Sequence, residues 1–154
     1  MTFAYALIRF LSVMALGLFA GAMLTEGGFL VSWWRALPPA DFLAWYRDND
    51  QRLLGFFGPL TTWTALLTVT AAVLALWQGY PGRWLTVLAA VLTVAAVATF
   101  FLYFRQANLS FATGSVGVEN VAAELARWVV WHWWRTGMSL IAFAAGLLAL
   151  IRTD

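Results

Sequence analysis

The sequence contains no cysteine, no lysine and only one histidine among its 154 residues. Without cysteine the chain has no disulfide, no thiolate metal site and no thiol redox couple. One histidine also excludes a two-histidine carboxylate triad, a histidine–cysteine zinc site and a bis-histidine haem within one chain. Glu26, Glu124 and His132 could at most form a carboxylate-rich site, and we predict no bound metal.

Charged residues are scarce as well, at 10% of the chain, and every basic residue is arginine. The basic clusters typical of nucleic-acid-binding proteins are missing, so nucleic acid is excluded as a partner. Glycine-rich phosphate loops, Ser–His–Asp arrangements and dinucleotide fingerprints are also missing. Kinases, classical hydrolases and NAD enzymes therefore have no support.

Apolar residues, by contrast, make up 63% of the chain, and the mean hydropathy is +0.80. A helix that crosses a bilayer needs about 20 mostly apolar residues. Four segments meet this requirement: residues 3–25, 59–77, 84–104 and 128–151. The first lacks a clear small-x-small cleavage site, which favours a retained helix over a signal peptide. We predict a single all-α domain over residues 1–154 that crosses the cell membrane four times and contacts membrane lipid.

The first connection contains proline and an amphipathic stretch. Pro38–Pro39 is expected to end the first helix, and Asp41 to cap a short amphipathic segment over residues 41–57. Its aromatic residues suit the membrane interface. Gly58–Pro59 is then expected to start the second span.

The later connections predict an up-down-up-down four-helix bundle. QGYPGR, residues 78–83, is typical of a tight turn between antiparallel helices, and residues 110–118 form a small-residue linker. Glu119 and Glu124 would then open the fourth helix. The positive-inside rule would place the first and third loops in the cytoplasm, but the arginine excess includes two candidate functional residues. The orientation therefore stays open.

The segment RWVVWHWWRT, residues 127–136, surrounds the only histidine and an arginine with four tryptophans. A charged side chain at the centre of a membrane helix costs at least about 2.5–3.5 kcal/mol, so it usually faces a protein interior or a wet cavity. Trp133 and Trp134 are expected to point away, as anchors in lipid or headgroups. One face of the fourth helix gathers the remaining polar and aromatic side chains: Glu124, Trp128, Trp131, His132, Arg135 and Ser139.

In an up-down bundle the end of helix one, the end of helix three and the start of helix four lie on the same side of the membrane. We therefore expect Glu26, Arg105 and Asn108 to join that face of helix four in a polar, aromatic pocket. Gly17 and Gly21 form a GxxxG pair on the face of helix one opposite Glu26. Glu26 itself shares a stripe with Tyr5, Ser12, Ala15 and Phe19.

Three stretches occur in the order LTEGGFLVSWW (24–34), FRQANLSF (104–111) and RWVVWHWWRT (127–136). They resemble the anthrone-oxygenase-like family of small four-helix integral membrane proteins, most of which have no assigned activity. The resemblance implies an oxygenase that uses dioxygen and no cofactor on a planar apolar phenolic or quinone-type substrate. Many relatives have a proline-rich segment before the fourth helix, where this chain has SFATGSVGVENVAAEL, so we expect a different substrate-facing loop.

Such an oxygenation needs a base that removes a proton from carbon and donors that stabilise the enolate. His132 is the predicted base, and Asn108 and Arg135 are the predicted hydrogen-bond donors to the enolate oxygen. Glu26 is expected to orient His132 or to balance its charge. Four more side chains are predicted to bind the substrate, the first two by stacking: Trp128, Trp131, Glu124 and Arg105.

Each of these roles has a structural alternative. His132 could be a satisfied structural residue, Arg135 could form an ion pair with Glu26 or Glu124, and Asn108 could join two helices. The alternative function is a non-catalytic membrane protein that binds a small hydrophobic aromatic molecule or packs as an accessory subunit of a larger complex. Whether the chain forms a homo-oligomer is left open.

Overall fold

Four long helices make up most of the computed structural model, which describes residues 3–152. They are α1 (Phe3–Ala36), α2 (Pro39–Trp77), α3 (Arg83–Thr113) and α4 (Val118–Ile151). All four are long and apolar enough to cross a membrane. No strand occurs among the described residues, so the predicted all-α class is confirmed.

The helices form a closed ring of antiparallel neighbours. α1 packs against α2, α2 against α3 and α3 against α4, and α4 packs back against α1. Because only a few residues separate consecutive helices, each must reverse the direction of the one before it. The predicted up-down-up-down bundle is confirmed.

Proline and glycine set the ends of the helices. Leu37 is extended, with φ −76° and ψ 147°, as expected for the residue before a proline, and Pro39 opens α2. Gly114 ends α3 in the left-handed conformation at φ 72°, which glycine adopts without steric cost. The linker predicted over residues 110–118 is therefore shorter, because α3 continues to Thr113 and α4 begins at Val118.

The first connection differs from the prediction in one respect. Residues 41–57 are helical as expected, but they are continuous with the second span in α2, and Pro59 lies inside that helix. A proline is tolerated within membrane helices, so Gly58–Pro59 does not start a new element. Asp41 lies in the first turn and makes no side-chain cap. The amphipathic segment is thus the first half of one long helix.

The helices are longer than a bilayer requires. A helix of 34 residues, such as α1, measures about 51 Å, whereas the hydrocarbon core is about 30 Å thick. Each predicted span lies within one helix, and the surplus of all four helices lies toward the first and third loops. Exposed charged side chains mark this surplus: Arg35, Arg47, Asp48, Arg52 and Arg105.

Two kinds of core fill the bundle. Among the spans, small and aliphatic residues pack together, including Leu16, Ala89, Ala142 and Ala145. Toward the first and third loops the core is mostly aromatic, and we call it the aromatic layer: Val31, Trp34, Phe42, Leu43, Tyr46, Phe104, Ala107, Phe111, Val121, Leu125 and Trp128. Small side chains allow close helix packing in lipid, whereas large rings bury the area that drives packing near water.

The predicted stripe of α1 faces the core. Tyr5, Ser12, Phe19 and Glu26 are all buried. On the opposite face, a Cβ at Gly17 would lie 3.1 Å from a ring carbon of Phe143, whereas one at Gly21 would meet nothing within 4 Å. Of the two glycines in this GxxxG pair, only Gly17 therefore makes a close contact within the described chain.

Candidate functional site

Two irregular helical segments flank the polar cluster. α1 is π-helical over Glu26–Leu30, and α3 is π-helical over Phe100–Phe104. Such segments are rare and frequently coincide with functional sites. Glu26 begins the first segment and Phe104 ends the second, and both side chains contact Arg135 of α4. The two irregular segments thus meet α4 at the same level.

The centre of the site is a buried group of three side chains, which we call the polar cluster: Glu26, His132 and Arg135. Arg135 Nη2 lies 3.0 Å from Glu26 Oε2 and 3.0 Å from His132 Nδ1, while His132 Nδ1 lies 3.5 Å from Glu26 Oε2. The side chains of Glu26 and Arg135 are 6% and 13% exposed, and His132 has no exposed surface. A buried ion pair of this kind depends on further hydrogen bonds to offset desolvation.

The partners of His132 define its tautomer. Nε2 lies 2.9 Å from the carbonyl oxygen of Met23, which can only accept, so Nε2 carries the hydrogen. Nδ1 then accepts from Arg135 Nη2, which can only donate. Thr136 Oγ1 donates to the carbonyl oxygen of His132 and lies 3.2 Å from Nε2. His132 is therefore a neutral imidazole with both nitrogens engaged.

Two hydrogen-bonding groups of the polar cluster have no partner within residues 3–152. Arg135 Nε is buried and makes no hydrogen bond. The contacts of the Glu26 carboxylate all involve Oε2, which leaves Oε1 without a hydrogen bond among these residues. One donor and one acceptor of the same ion pair thus lack a hydrogen bond within the described part of the chain.

Aromatic rings enclose the charged groups. The ring of Trp128 stacks on His132, with centroids 5.0 Å apart, and its Nε1 donates to Asn108 Oδ1 at 2.9 Å. The guanidinium carbon of Arg135 lies 4.2 Å from the centroid of Phe104. A cation over an aromatic face is attracted by the ring quadrupole. Asn108 therefore reaches the polar cluster through Trp128 and does not contact it directly.

Gly27 allows α1 to approach the imidazole. A Cβ at this position would lie 2.8 Å from His132 Nε2 and 3.3 Å from a ring carbon of Trp133. Any larger residue would push the ring away from the Met23 carbonyl. Gly27, the first of the two glycines in LTEGGFLVSWW, is thus required by the close packing against His132, which helical periodicity alone could not indicate.

Other predicted site residues form a second group, beside the polar cluster. Tyr103 donates its hydroxyl to Glu124 Oε1 at 2.7 Å and stacks on Trp131 with centroids 5.0 Å apart. Arg127 pairs with Glu124 at 3.1 Å. Glu124 therefore lies apart from Glu26 and His132, and among residues 3–152 no three metal-ligating side chains of the His, Cys, Asp and Glu types gather. Arg105 is exposed and has no ion pair among these residues.

Several residues that shape the site were not predicted from the sequence. Trp34 is 1% exposed and packs edge-on against Trp128, with centroids 5.6 Å apart. Phe104 and Tyr103 hold Arg135 and Glu124, and the Met23 carbonyl holds His132. Trp34 and Phe104 both lie within the stretches that carry the family resemblance, which was the available signal. A backbone carbonyl offers no signal in sequence.

No family model, curated protein or solved structure matches the chain. The fold and the site define a helical membrane protein with a buried Glu–Arg–His cluster under an aromatic layer. Membership of the anthrone-oxygenase-like family stays a prediction.

Proposed function

We propose that the protein is a membrane-embedded, oxygenase-like protein that acts on a planar apolar phenolic or quinone-type molecule with dioxygen and no bound cofactor. The observation that carries the proposal is the meeting of two π-helical segments at one buried ion pair and imidazole. A structural ion pair needs no irregular helix, whereas π-helical turns are frequently found at functional sites. The resemblance in the three sequence stretches supports the same conclusion.

The reaction oxidises an activated ring CH2 group to a carbonyl. A base removes one proton from the carbon, and the resulting enolate passes electrons to dioxygen as a C–O bond forms. Cleavage of the O–O bond leaves one oxygen atom in the new carbonyl and releases the other as water, together with both hydrogens of the CH2 group. One dioxygen is consumed for each substrate molecule, and no further reductant is needed.

The polar cluster contains the groups that this reaction needs. Arg135 supplies positive charge and the unpaired Nε–H for the enolate oxygen. His132 can take the carbon proton at Nδ1 only when Arg135 Nη2 leaves that nitrogen, so substrate binding to the guanidinium would free the base. Glu26 holds the guanidinium, and Asn108 fixes the plane of Trp128. The direct role of Asn108 at the enolate stays a prediction.

A second candidate has its own supporting observation. His132 has no exposed surface and both its nitrogens are bonded within the protein, as in a purely structural cluster. This favours the non-catalytic alternative, in which the cluster holds the helices in register and the protein binds a small hydrophobic molecule or joins a larger complex.

Oxygen uptake with anthrone separates the two candidates. The purified protein in detergent is expected to consume one dioxygen per anthrone, faster than the spontaneous oxidation measured without protein. His132→Gln keeps an N–H for the Met23 carbonyl but removes the base, and Arg135→Lys removes the Nε–H. Both variants are expected to lose at least about 100-fold in rate.

Trp134→Phe is the matched control, because Trp134 lies on the same helix and is 70% exposed. It should keep the wild-type rate, and circular dichroism should show all three variants to be folded. Wild-type uptake no faster than the spontaneous reaction, or full activity in folded His132→Gln, overturns the enzymatic proposal in favour of the non-catalytic candidate.

A further inference from the structure

A groove of about 220 Å³ lies where the end of α1, the start of α2 and the first turns of α4 meet. Its walls are mostly apolar and include Trp34, Leu37, Phe42, Val121 and Leu125. The groove is at the surface of the aromatic layer, beyond the main spans. A molecule dissolved in the bilayer could reach it at the level of the headgroups.

The volume restricts the size of an occupant. A cavity of about 150 Å³ accommodates benzene, and pockets for drug-sized ligands start at about 300 Å³. The groove lies between these limits, so it suits a flat head of one or two rings. A flexible chain on that head could extend from the groove into lipid.

One exposed group gives the groove polar character. Arg35 is the only charged side chain among the described residues that line it, and it makes no ion pair with another described residue. An occupant that bears an oxygen acceptor therefore complements the groove better than a pure hydrocarbon.

The groove is also connected to the polar cluster through two rings. Trp34 contacts the edge of Trp128, and Trp128 stacks on His132. A ring bound against Trp34 thus lies two aromatic side chains away from the imidazole. This contact chain places the groove next to the aromatic wall of the polar cluster.

We propose that this groove binds the oxygen-bearing ring of an amphiphilic one- or two-ring phenol or quinone, with the ring against Trp34 and Phe42 and an oxygen at Arg35. The inference rests on the proposed function for the class of ring. Binding itself needs no turnover, so it can be measured separately.

Two naphthoquinones of nearly equal size serve as probes, measured by calorimetry in matched detergent. 2-Hydroxy-1,4-naphthoquinone is an anion at neutral pH, and 2-methyl-1,4-naphthoquinone is neutral. Both are expected to bind the wild-type protein with one-to-one stoichiometry. Arg35→Gln should weaken the binding of the anion about three- to fivefold, as expected for an exposed charge pair, and leave the affinity for the neutral quinone unchanged.

The groove is tested by adjacent exposed alanines on α4. Ala122 lines it and Ala123 does not. Ala122→Trp should fill the space and weaken both quinones at least about tenfold, while Ala123→Trp should stay within about twofold of wild type. Equal affinities of these two variants, or no binding to wild type, overturn the site. An anion affinity unchanged by Arg35→Gln overturns the placement of the oxygen.

The outcome for the groove is independent of the outcome for catalysis. His132→Gln leaves every groove-lining residue in place and is expected to bind both quinones as wild type does. Quinone binding without anthrone oxidation would overturn the proposed function and support the groove. Anthrone oxidation by the wild-type protein, together with a quinone affinity that Ala122→Trp leaves unchanged, would support the proposed function and overturn the groove.

Discussion

The imidazole of His132 lies parallel to the indole of Trp128, with an interplanar angle of 8° and centroids 5.0 Å apart. Residues four apart on a helix share a face, so the stack follows from their spacing in α4. The same indole donates to Asn108 of α3 and touches Trp34 of α1. Trp128 therefore fixes the plane of the imidazole relative to both neighbouring helices.

The first prediction concerns the close approach of Gly27 to that imidazole. Gly27→Ala would place a methyl group 2.8 Å from His132 Nε2, where the ring cannot move without losing the Met23 carbonyl. We expect a loss of about 1–3 kcal/mol in the free energy of unfolding. Unfolding in mixed micelles by added sodium dodecyl sulfate measures it.

Gly28→Ala is the control for that measurement. A Cβ at Gly28 would meet nothing within 4 Å, although the residue lies in the same π-helical segment. Its stability should equal or slightly exceed that of wild type, because alanine favours helix more than glycine. Equal losses for the two variants would mean that helix irregularity, and not contact with His132, limits residue 27.

The second prediction concerns the ion pair of Glu26 and Arg135. Glu26→Gln leaves the guanidinium buried without a counter-charge, and we expect it to cost about 3–5 kcal/mol in unfolding free energy. Adding Arg135→Met removes that charge and should restore most of the loss. The double-mutant cycle measures the coupling. A loss below about 1 kcal/mol in Glu26→Gln, the range typical of exposed pairs, would contradict a buried pair.

The architecture could be predicted from sequence because the bilayer makes it simple. Runs of about 20 apolar residues mark the spans, and glycine and proline mark the turns between them. Helical periodicity also places residues on a face correctly: Tyr5, Ser12, Phe19 and Glu26 are buried at a spacing of seven. This periodicity, together with the up-down order of the helices, predicted that Glu26 would lie close to His132 and Arg135.

The remaining features of the site depend on structural details that helical periodicity does not predict. The two π-helical segments shift the register within α1 and α3, and no residue type signals them. Asn108 was expected at the polar cluster, but a hydrogen bond to the indole of Trp128 holds it one ring away. Glu124 was grouped with His132 because they share a helix face. It lies two turns earlier, however, where Tyr103 and Arg127 bind it.

The third prediction concerns the hydrogen bond between Trp128 and Asn108. Trp128→Phe removes the donor and Asn108→Leu removes the acceptor. Each should destabilise the protein, and the cycle of both should give a coupling of about 0.6 kcal/mol, up to about 1.7, the range found for polar pairs between membrane helices. Zero coupling would contradict the bond. Asn108→Leu should also slow anthrone oxidation if the plane of Trp128 matters for His132.

The last prediction concerns the opposite end of the bundle, where Arg9 is buried beside Tyr80. Its guanidinium carbon lies 3.8 Å from the centroid of Tyr80, and its Nη2 donates to the Ala149 carbonyl at 2.7 Å. The Tyr80 hydroxyl donates to the carbonyl oxygen of Arg152. These contacts join α1, the turn after α2 and the end of α4.

Two substitutions of Tyr80 separate the ring from the hydroxyl. Tyr80→Phe loses one hydrogen bond and should cost about 0.5–1.5 kcal/mol, while Tyr80→Leu also loses the aromatic face under Arg9 and should cost about 0.5–2 kcal/mol more. Neither should change quinone affinity or oxygen uptake, because both the groove and the polar cluster lie at the other end of the helices. Equal stability of the two variants would show that the ring contributes nothing beyond its hydroxyl. A change in quinone affinity would show that the two ends are coupled through the helices.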